Sequence, residues 1–365
     1  MLIAPGDLDE AALARTLRAG WEIHAASMTY LAVGWGSHHW DVRGRDGQRW
    51  FVTVDLLENK RVSERESLAD GFARLRASLL SAVALREAGC EFVVAPVPGG
   101  GQRDGERGAT QRGEPALRFG GRFAAAVYPF TDGQSFDGDA PSSVALRSAM
   151  LAMVADVHQA PERARLAAFT DDFRVPFADL VEGVLDGATV PECGPYTRPV
   201  ADLLREYAAP VRQWLDQCQA LAAVAGGQPG RNVLTHGEPH PGNAMLTTGG
   251  WRLIDWDTAL IAPPERDLWS LAADEAEAAG AAEAAGRDRA GGGNGAADAS
   301  GVLDAYAAAT GVRPRPELIE FYRLRWDVSD LAYDTARFFR PHAGTAEDAE
   351  TWELLSTLIR RTAEG

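Results

Sequence analysis

Residues 233–246 read VLTHGEPHPGNAML, and residues 251–269 read WRLIDWDTALIAPPERDLW. Together they place a carboxylate, Glu238, five positions before an amide, Asn243, and a second carboxylate, Asp255, twelve positions after it. Phosphoryl transfer to a hydroxyl needs this set. One carboxylate accepts or orients the hydroxyl proton, while an amide and a carboxylate hold Mg²⁺ on a nucleotide. Pro239 and Pro241 cannot donate to a strand ladder, so 236–243 is expected to leave the strand-like run RNVLTH as a loop. A hairpin turning at 248–250 then returns WRLID and sets Asp255 beside that loop. The alternation of His236, Glu238 and His240 suggests three metal ligands on one strand face, but the prolines break that strand. The histidines are therefore expected to brace the loop, His236 above all. Asp257 is expected to assist the metal site from behind its ligands.

Outward from this block, DLDEAALARTLRAG (7–20) has acidic residues at its start, helical Leu/Ala spacing and a closing glycine, the marks of a capped helix. Between 21 and 57 the period changes. EIHAASMTYLAV, HHWDVRG and QRWFVTVDLL are β-branched and aromatic and are separated by glycine turns, as in an antiparallel meander. Its first turn, GWGSHH (34–39), carries Gly34, Gly36 and Ser37. Residues 64–88 form a long helix, and EFVVAPVP (91–98) and RFAAAVYPF (122–130) read as two further strands. The Gly/Arg-rich stretch between those two is expected to be a mobile hairpin loop. Beyond it the pattern is helical, at 142–158, near 176–186 and 198–225, and then at about 301–309, 315–340 and 347–363. Residues 272–300 are of low complexity and read as loop or frayed helix. The fold class is α+β, with a β-rich lobe over 1–131 and a helical lobe over 132–365.

The chain has 365 residues and a net charge of −16, so it lacks the basic surface that nucleic acid or an anionic membrane requires. No window approaches about 18 uninterrupted apolar residues. Three dispersed cysteines supply neither a disulfide framework nor a zinc site, which fits a reducing compartment. A cytoplasmic protein acting on a small-molecule substrate is expected, as a monomer or weak homodimer. Lys60 is the sole lysine, so arginine provides nearly all the positive charge.

HGEPHPGN followed by LIDWD resembles the aminoglycoside phosphotransferase family, whose fold is that of the protein kinases. The tail LIDWDTALIAPPERDLW and the segment YRLRWDVSDLAYD (322–334) are similar to its spectinomycin-phosphorylating branch. The resemblance implies a base at Glu238, Mg²⁺ ligands at Asn243 and Asp255, and a nucleotide loop at 34–39. It also implies a hinge at Val127, Tyr128 and Phe130, where a base hydrogen-bonds to the backbone. Substrate amines would meet Asp327, Asp330 and Asp334. Their i, i+3, i+7 spacing equally suits a solvated helix face paired with Arg323, Arg325 and Arg337.

Two positions depart from the family pattern. Glu238 stands where Asp is usual. Its intrinsic acidity is similar, with reference values of about 4.3 against about 3.9, but one extra methylene carries the carboxylate roughly 1.5 Å further. Thr53 falls where the family has the strand lysine that grips the nucleotide phosphates, and Arg76–Ala77 falls where a helix glutamate orients it. Mg²⁺, the loop backbone, Arg43, Arg49, Arg61 or Lys60 must then meet the phosphate charge, and the residues do not choose among them. The expected reaction is Mg²⁺-dependent phosphorylation, from ATP or GTP, of a hydroxyl on a small amine-bearing molecule such as an aminoglycoside or aminocyclitol antibiotic. The alternatives are a kinase for a sugar, homoserine, choline-like or nucleoside metabolite, and a kinase fold that binds without turnover.

Overall fold

The computed structural model describes residues 3–34, 36–100, 113–136, 142–273, 275 and 301–363. Most of the glycine-rich loop expected after residue 98, and nearly all of the low-complexity stretch, lie outside the described residues. Helix α1 (Glu10–Trp21) starts at Asp9, whose carboxylate accepts from the Ala11 amide. Strands β1 (Ala25–Leu31), β2 (His38–Gly44), β3 (Arg49–Leu56), β4 (Leu117–Phe119) and β5 (Phe123–Pro129) form one antiparallel sheet in the order β1-β2-β3-β5-β4. Between β3 and β4 come a single 3₁₀ turn, Leu57–Lys60, and helix α2 (Leu68–Glu87), which opens on a Ser67/Asp70 capping box.

Strand β5 reads as an unbroken apolar run because both of its faces are covered. Phe123, Ala125 and Val127 join Leu13 and Leu17 of α1 and Val52 and Val54 of β3 in one cluster. Ala124 and Ala126 face a second cluster that holds Leu75, Leu79 and Leu85 of α2. Alanine at these two positions lets the helix lie close against the sheet. On β3 the opposite parity, Thr53 and Asp55, shares the α2-side face.

The run 91–98 is not a strand of this sheet, contrary to its apolar β-rich composition. Pro96 and Pro98 have no N–H to offer a ladder. The segment instead crosses between the two halves of the molecule on scattered backbone bonds. Val97 N–H donates to the Val127 carbonyl at 2.7 Å, and Val94 N–H donates to the Leu253 carbonyl at 3.1 Å. The partner of β5 on that edge is β4, whose three residues gave too short a pattern to read.

The remaining chain is mainly helical, and two small sheets carry the motif. Strand β6 (Gln134–Ser135) pairs with β8 (Ala244–Thr247) and β8 with β9 (Gly250–Leu253), while β7 (Val233–Thr235) pairs with β10 (Leu260–Ala262). Helices α3 (Val144–His158), α4 (Glu162–Arg165), α5 (Ala178–Leu185), α6 (Thr197–Glu206), α7 (Ala208–Gly226), α8 (265–273), α9 (Val302–Thr310), α10 (Pro316–Phe338) and α11 (Ala346–Arg361) surround them. A separate core unites α5, α6, α7, α10 and α11 through Val181, Val200, Leu204, Val211, Val328, Leu331 and Leu355. Among the described residues no helix is long and apolar enough to cross a membrane.

Candidate active site

The loop after β7 is held from below. Asp267, fully buried on α8, accepts from the His236 amide at 2.8 Å and the Gly237 amide at 2.6 Å. The same carboxylate meets His158 Nε2 at 3.0 Å, and His158 Nδ1 meets the Tyr306 hydroxyl at 2.8 Å. Burial opposes the ionised form of Asp267, but His158, Arg266 and His236 hold its carboxyl below the usual range. Gly237 has φ +104°, and a Cβ there would come within 2.5 Å of the Arg266 guanidinium. That guanidinium is fixed by the Thr235 hydroxyl and the Thr258 carbonyl. Only glycine satisfies both constraints.

His236 is itself fully buried and lies edge-on to Trp256, with ring centroids 4.7 Å apart. Its Nε2 lies 2.9 Å from the Ile254 carbonyl, and its Nδ1 accepts from the Glu238 amide at 3.2 Å. Burial pushes this imidazole down to about 4, so it is neutral and acts as a brace between loop and hairpin. Asn243 Nδ2 donates to the Glu238 carbonyl at 2.9 Å, which fixes which end of the amide is the oxygen. His240 Nδ1 accepts from the Gly242 amide at 3.2 Å.

Three carboxylates converge above this loop. Asp255 sits at the end of the β8–β9 hairpin in the left-handed region, φ +63°, a conformation that Asp tolerates better than most residues. It hydrogen-bonds to Asp257. Although the residue is exposed to water, desolvation of its carboxyl, then Asp257 and Glu238, raises it above the usual range. Burial works against ionised Asp257 as well, yet the Lys60 ammonium outweighs it and holds Asp257 low. Burial, then Asp257, pushes Glu238 up to about 7. Two carboxylates that share a hydrogen, beside an oriented amide oxygen, form the hard-oxygen set that suits Mg²⁺ when phosphate oxygens complete the coordination. Among the described residues no three His, Cys, Asp or Glu form a self-sufficient cage.

The opposite wall of the cleft is the α2-side face of the first sheet. Gly34 and Gly36 have φ +67° and +86°, and the Ser37 hydroxyl donates to Asp55 at 2.6 Å. His39 pairs in register with Thr53 and stacks on Phe51, with centroids 5.0 Å apart. Burial pushes His39 down to about 4, and its Nδ1 has no partner among the described residues. Tyr128 is half-buried near this face, and desolvation of its phenol, then Asp55, Asp255 and Asp257, raises it well above the usual range.

Lys60 lies between the two walls. Its ammonium pairs with Asp55 at 3.0 Å and with Asp257. The backbone positions expected to read a nucleotide base are in part already engaged. Phe130 N–H donates to the Arg49 carbonyl, and the Val127 carbonyl accepts from Val97. Strand alternation turns the polar groups of 128 and 130 towards β3, so the hinge expectation at those two residues is corrected by register.

On α10, Asp330 and Asp334 have no ion-pair partner within 4.0 Å among the described residues, whereas Asp327 is taken by Arg361 at 2.9 Å and Arg323 at 3.9 Å. Burial, then Asp334 and Glu238, pushes Asp330 up to about 8, although water at its open edge moderates the effect. Burial also pushes Asp334 up to about 7. Arg325 pairs with buried Asp171 at 2.6 Å.

A family model described as "Phosphotransferase enzyme family" matches residues 27–309. The chain belongs to this family. It is a phosphotransferase with an alcohol group as acceptor. Protein StrN of Streptomyces griseus is 29% identical over 287 residues, covering 75% of this chain and 74% of StrN. A structure of spectinomycin phosphotransferase with ADP and spectinomycin shares the fold, with a TM-score of 0.61, 12% identity, and 97% and 98% of the two chains covered. The amicoumacin kinase structure with AMP-PNP, Ca²⁺ and amicoumacin shares it at 0.55 and 14%, with 98% and 94% covered.

Several residues that shape this phosphotransferase site were not singled out by sequence reasoning. Asp55 was one apolar-flanked acid in a strand, and its parity with Thr53 was the signal available. Asp267 stood in the quoted ERD, and a buried acid three residues after PP at a helix start was the available clue to its loop-capping role. His158 and Tyr306 are 148 positions apart and carried no pattern at all.

Proposed function

We propose that this phosphotransferase transfers the terminal phosphoryl group of a nucleoside triphosphate, with Mg²⁺, to a hydroxyl of a small amine-bearing molecule. Aminoglycoside and aminocyclitol antibiotics are the leading class. One observation carries this reading: Glu238 stands within electrostatic reach both of Asp257, in the metal-suited carboxylate pair, and of Asp330, on the acidic face of α10.

Asn243, Asp255 and Asp257 would hold Mg²⁺, which when bound neutralises charge on the transferring group. Glu238 accepts or orients the proton of the acceptor hydroxyl, and a carboxylate poised near neutrality is well matched to that task. Asp330 and Asp334 attract the substrate's ammonium groups, and such groups would in turn favour the ionised acids. Gly34, Gly36 and Ser37 form the nucleotide loop. At the hinge, the alternation that turns 128 and 130 towards β3 directs the Pro129 carbonyl and the Thr131 amide outward, so these two are the base-reading pair. The spectinomycin phosphotransferase complex with ADP and spectinomycin supports the choice of ligands.

The test is mass spectrometry of an aminocyclitol and aminoglycoside panel incubated with protein, Mg²⁺ and ATP or GTP. A single-phosphate mass gain in a panel member, abolished in Glu238→Gln, is the expected result. Nucleotide binding without product across amines, sugars and nucleosides would sink the transfer reading.

A further inference from the structure

The resemblance to the family implies a phosphate-gripping lysine on the third strand, and here that position is Thr53, which carries no charge. A polyphosphate still needs a cation, because the cleft already holds Asp55, Asp255, Asp257 and Glu238. Two of the three arginines that could serve are occupied. Arg49 is bidentate on Asp41 and lies over Phe130. Arg61 bonds the Glu66 carbonyl and pairs with Glu64, and Arg43 is exposed on β2. Two cations act on Glu238, Arg266 and Lys60, and Arg266 is committed to Thr235 and Thr258.

We propose that Lys60 is the phosphate-binding lysine of this enzyme, delivered from the 3₁₀ turn after β3 rather than from the strand. This rests on the nucleotide-dependent reading above. The usual arrangement is a strand lysine oriented by a helix acid. Here the strand supplies the acid, Asp55, and the following turn supplies the lysine. Asp55 is 3% exposed, and the oxygen that meets the ammonium, Oδ1, also accepts from Ser37 of the nucleotide loop, so it aims the ammonium from the same wall that carries that loop. An ammonium has three N–H donors, and Asp55 and Asp257 engage two of them, which leaves the third for a phosphate oxygen.

The placement of the turn is itself built in. A Cβ at Gly71 of α2 would stand 2.8 Å from the Leu57 carbonyl and 3.3 Å from the Lys60 carbonyl carbon, so glycine lets the turn press against the helix. Phe177 N–H holds the Val62 carbonyl at 2.8 Å, which ties the far end of the segment to the helical half.

The experiment is calorimetric binding of ADP and of adenosine, with Mg²⁺, to the full-length protein. Wild type should prefer ADP. Lys60→Met should cut the ADP-to-adenosine affinity ratio by about 10- to 100-fold, the worth of a charge-assisted hydrogen bond, with adenosine binding unchanged. Lys60→Arg should keep a preference between the two. Lys60→Met leaves buried acids unpaired, so the neutral pair Asp55→Asn/Lys60→Met serves as a second variant and should show the same selective loss. A ratio within twofold of wild type in both variants overturns the proposal. So does a parallel loss of ADP and adenosine, which would mark a structural role. If wild type binds no nucleotide, the nucleotide reading falls and this inference falls with it.

Discussion

Glu238 shows how one side chain couples chemistry to stability. Burial, then Asp257, pushes its carboxyl up to about 7 in the folded protein from an ordinary value of 4.5. The stabilising contribution of its protonated form is full below about 4.5 and is lost as pH rises through about 7. In metal-free protein, Glu238→Gln should therefore gain thermal stability over wild type progressively across that window. The upper bound is about 3 kcal/mol, and differential scanning calorimetry at several pH values reads it. The same variant should lose about 10²- to 10⁴-fold in turnover. In wild type the acid limb of kcat should fall between about 4.5 and 7, because bound Mg²⁺ and a cationic substrate both favour the ionised form. A limb above 7 would reject Glu238 as the base. Gly237→Ala meets Arg266 with a left-handed backbone and should destabilise the fold by about 1–3 kcal/mol. Activity should fall even where the variant remains folded, since Glu238 is the next residue.

At the scale of elements, sequence patterns were legible where they were local. The capped helices, the meander, the loop-hairpin and its two metal-suited acids all follow from periodicity, proline and glycine. The failures have a common physical cause. The run 91–98 has strand composition, but its prolines and its position between the halves deny it a ladder. The hinge was expected over 127–130, and the turning of 128 and 130 towards β3 was not legible, because register is set by the partner strand rather than by β5 itself. On α10, spacing put Asp327, Asp330 and Asp334 together, and a partner from α11, Arg361, then removed Asp327 from the set. Asp330→Asn should accordingly raise KM for an amine-bearing acceptor by about 10-fold while leaving nucleotide KM unchanged, the size of one charge interaction. Asp327→Asn should leave acceptor KM near wild type. Steady-state kinetics with each substrate varied in turn separates these outcomes.

Across the whole molecule, the halves share one apolar core and are joined by further polar contacts such as Ser78 to the Ala259 carbonyl and Arg65 to Asp179. The covalent crossing is the short stretch between Pro129 and Gln134. A second crossing is electrostatic, Asp55 through Lys60 to Asp257, and a third is the pair of backbone bonds that 91–98 makes to β9 and β5. None of these long-range joins could be read from the chain, because the partners of each lie 30 to nearly 200 positions apart. The net charge of −16 was legible, and the gathering of Asp55, Asp255, Asp257 and Glu238 around Lys60 was not.

The sole lysine of 365 residues sits at the seam between those halves. A lysine-specific endoprotease consequently has a single bond to cut, after residue 60, and must wait for the seam to part before reaching it. The rate at which intact chain becomes two fragments is then a clock for cleft opening, without any label or engineered site. Saturating ADP with Mg²⁺ should slow that clock severalfold and adenosine should slow it less, as read by the two bands on a gel.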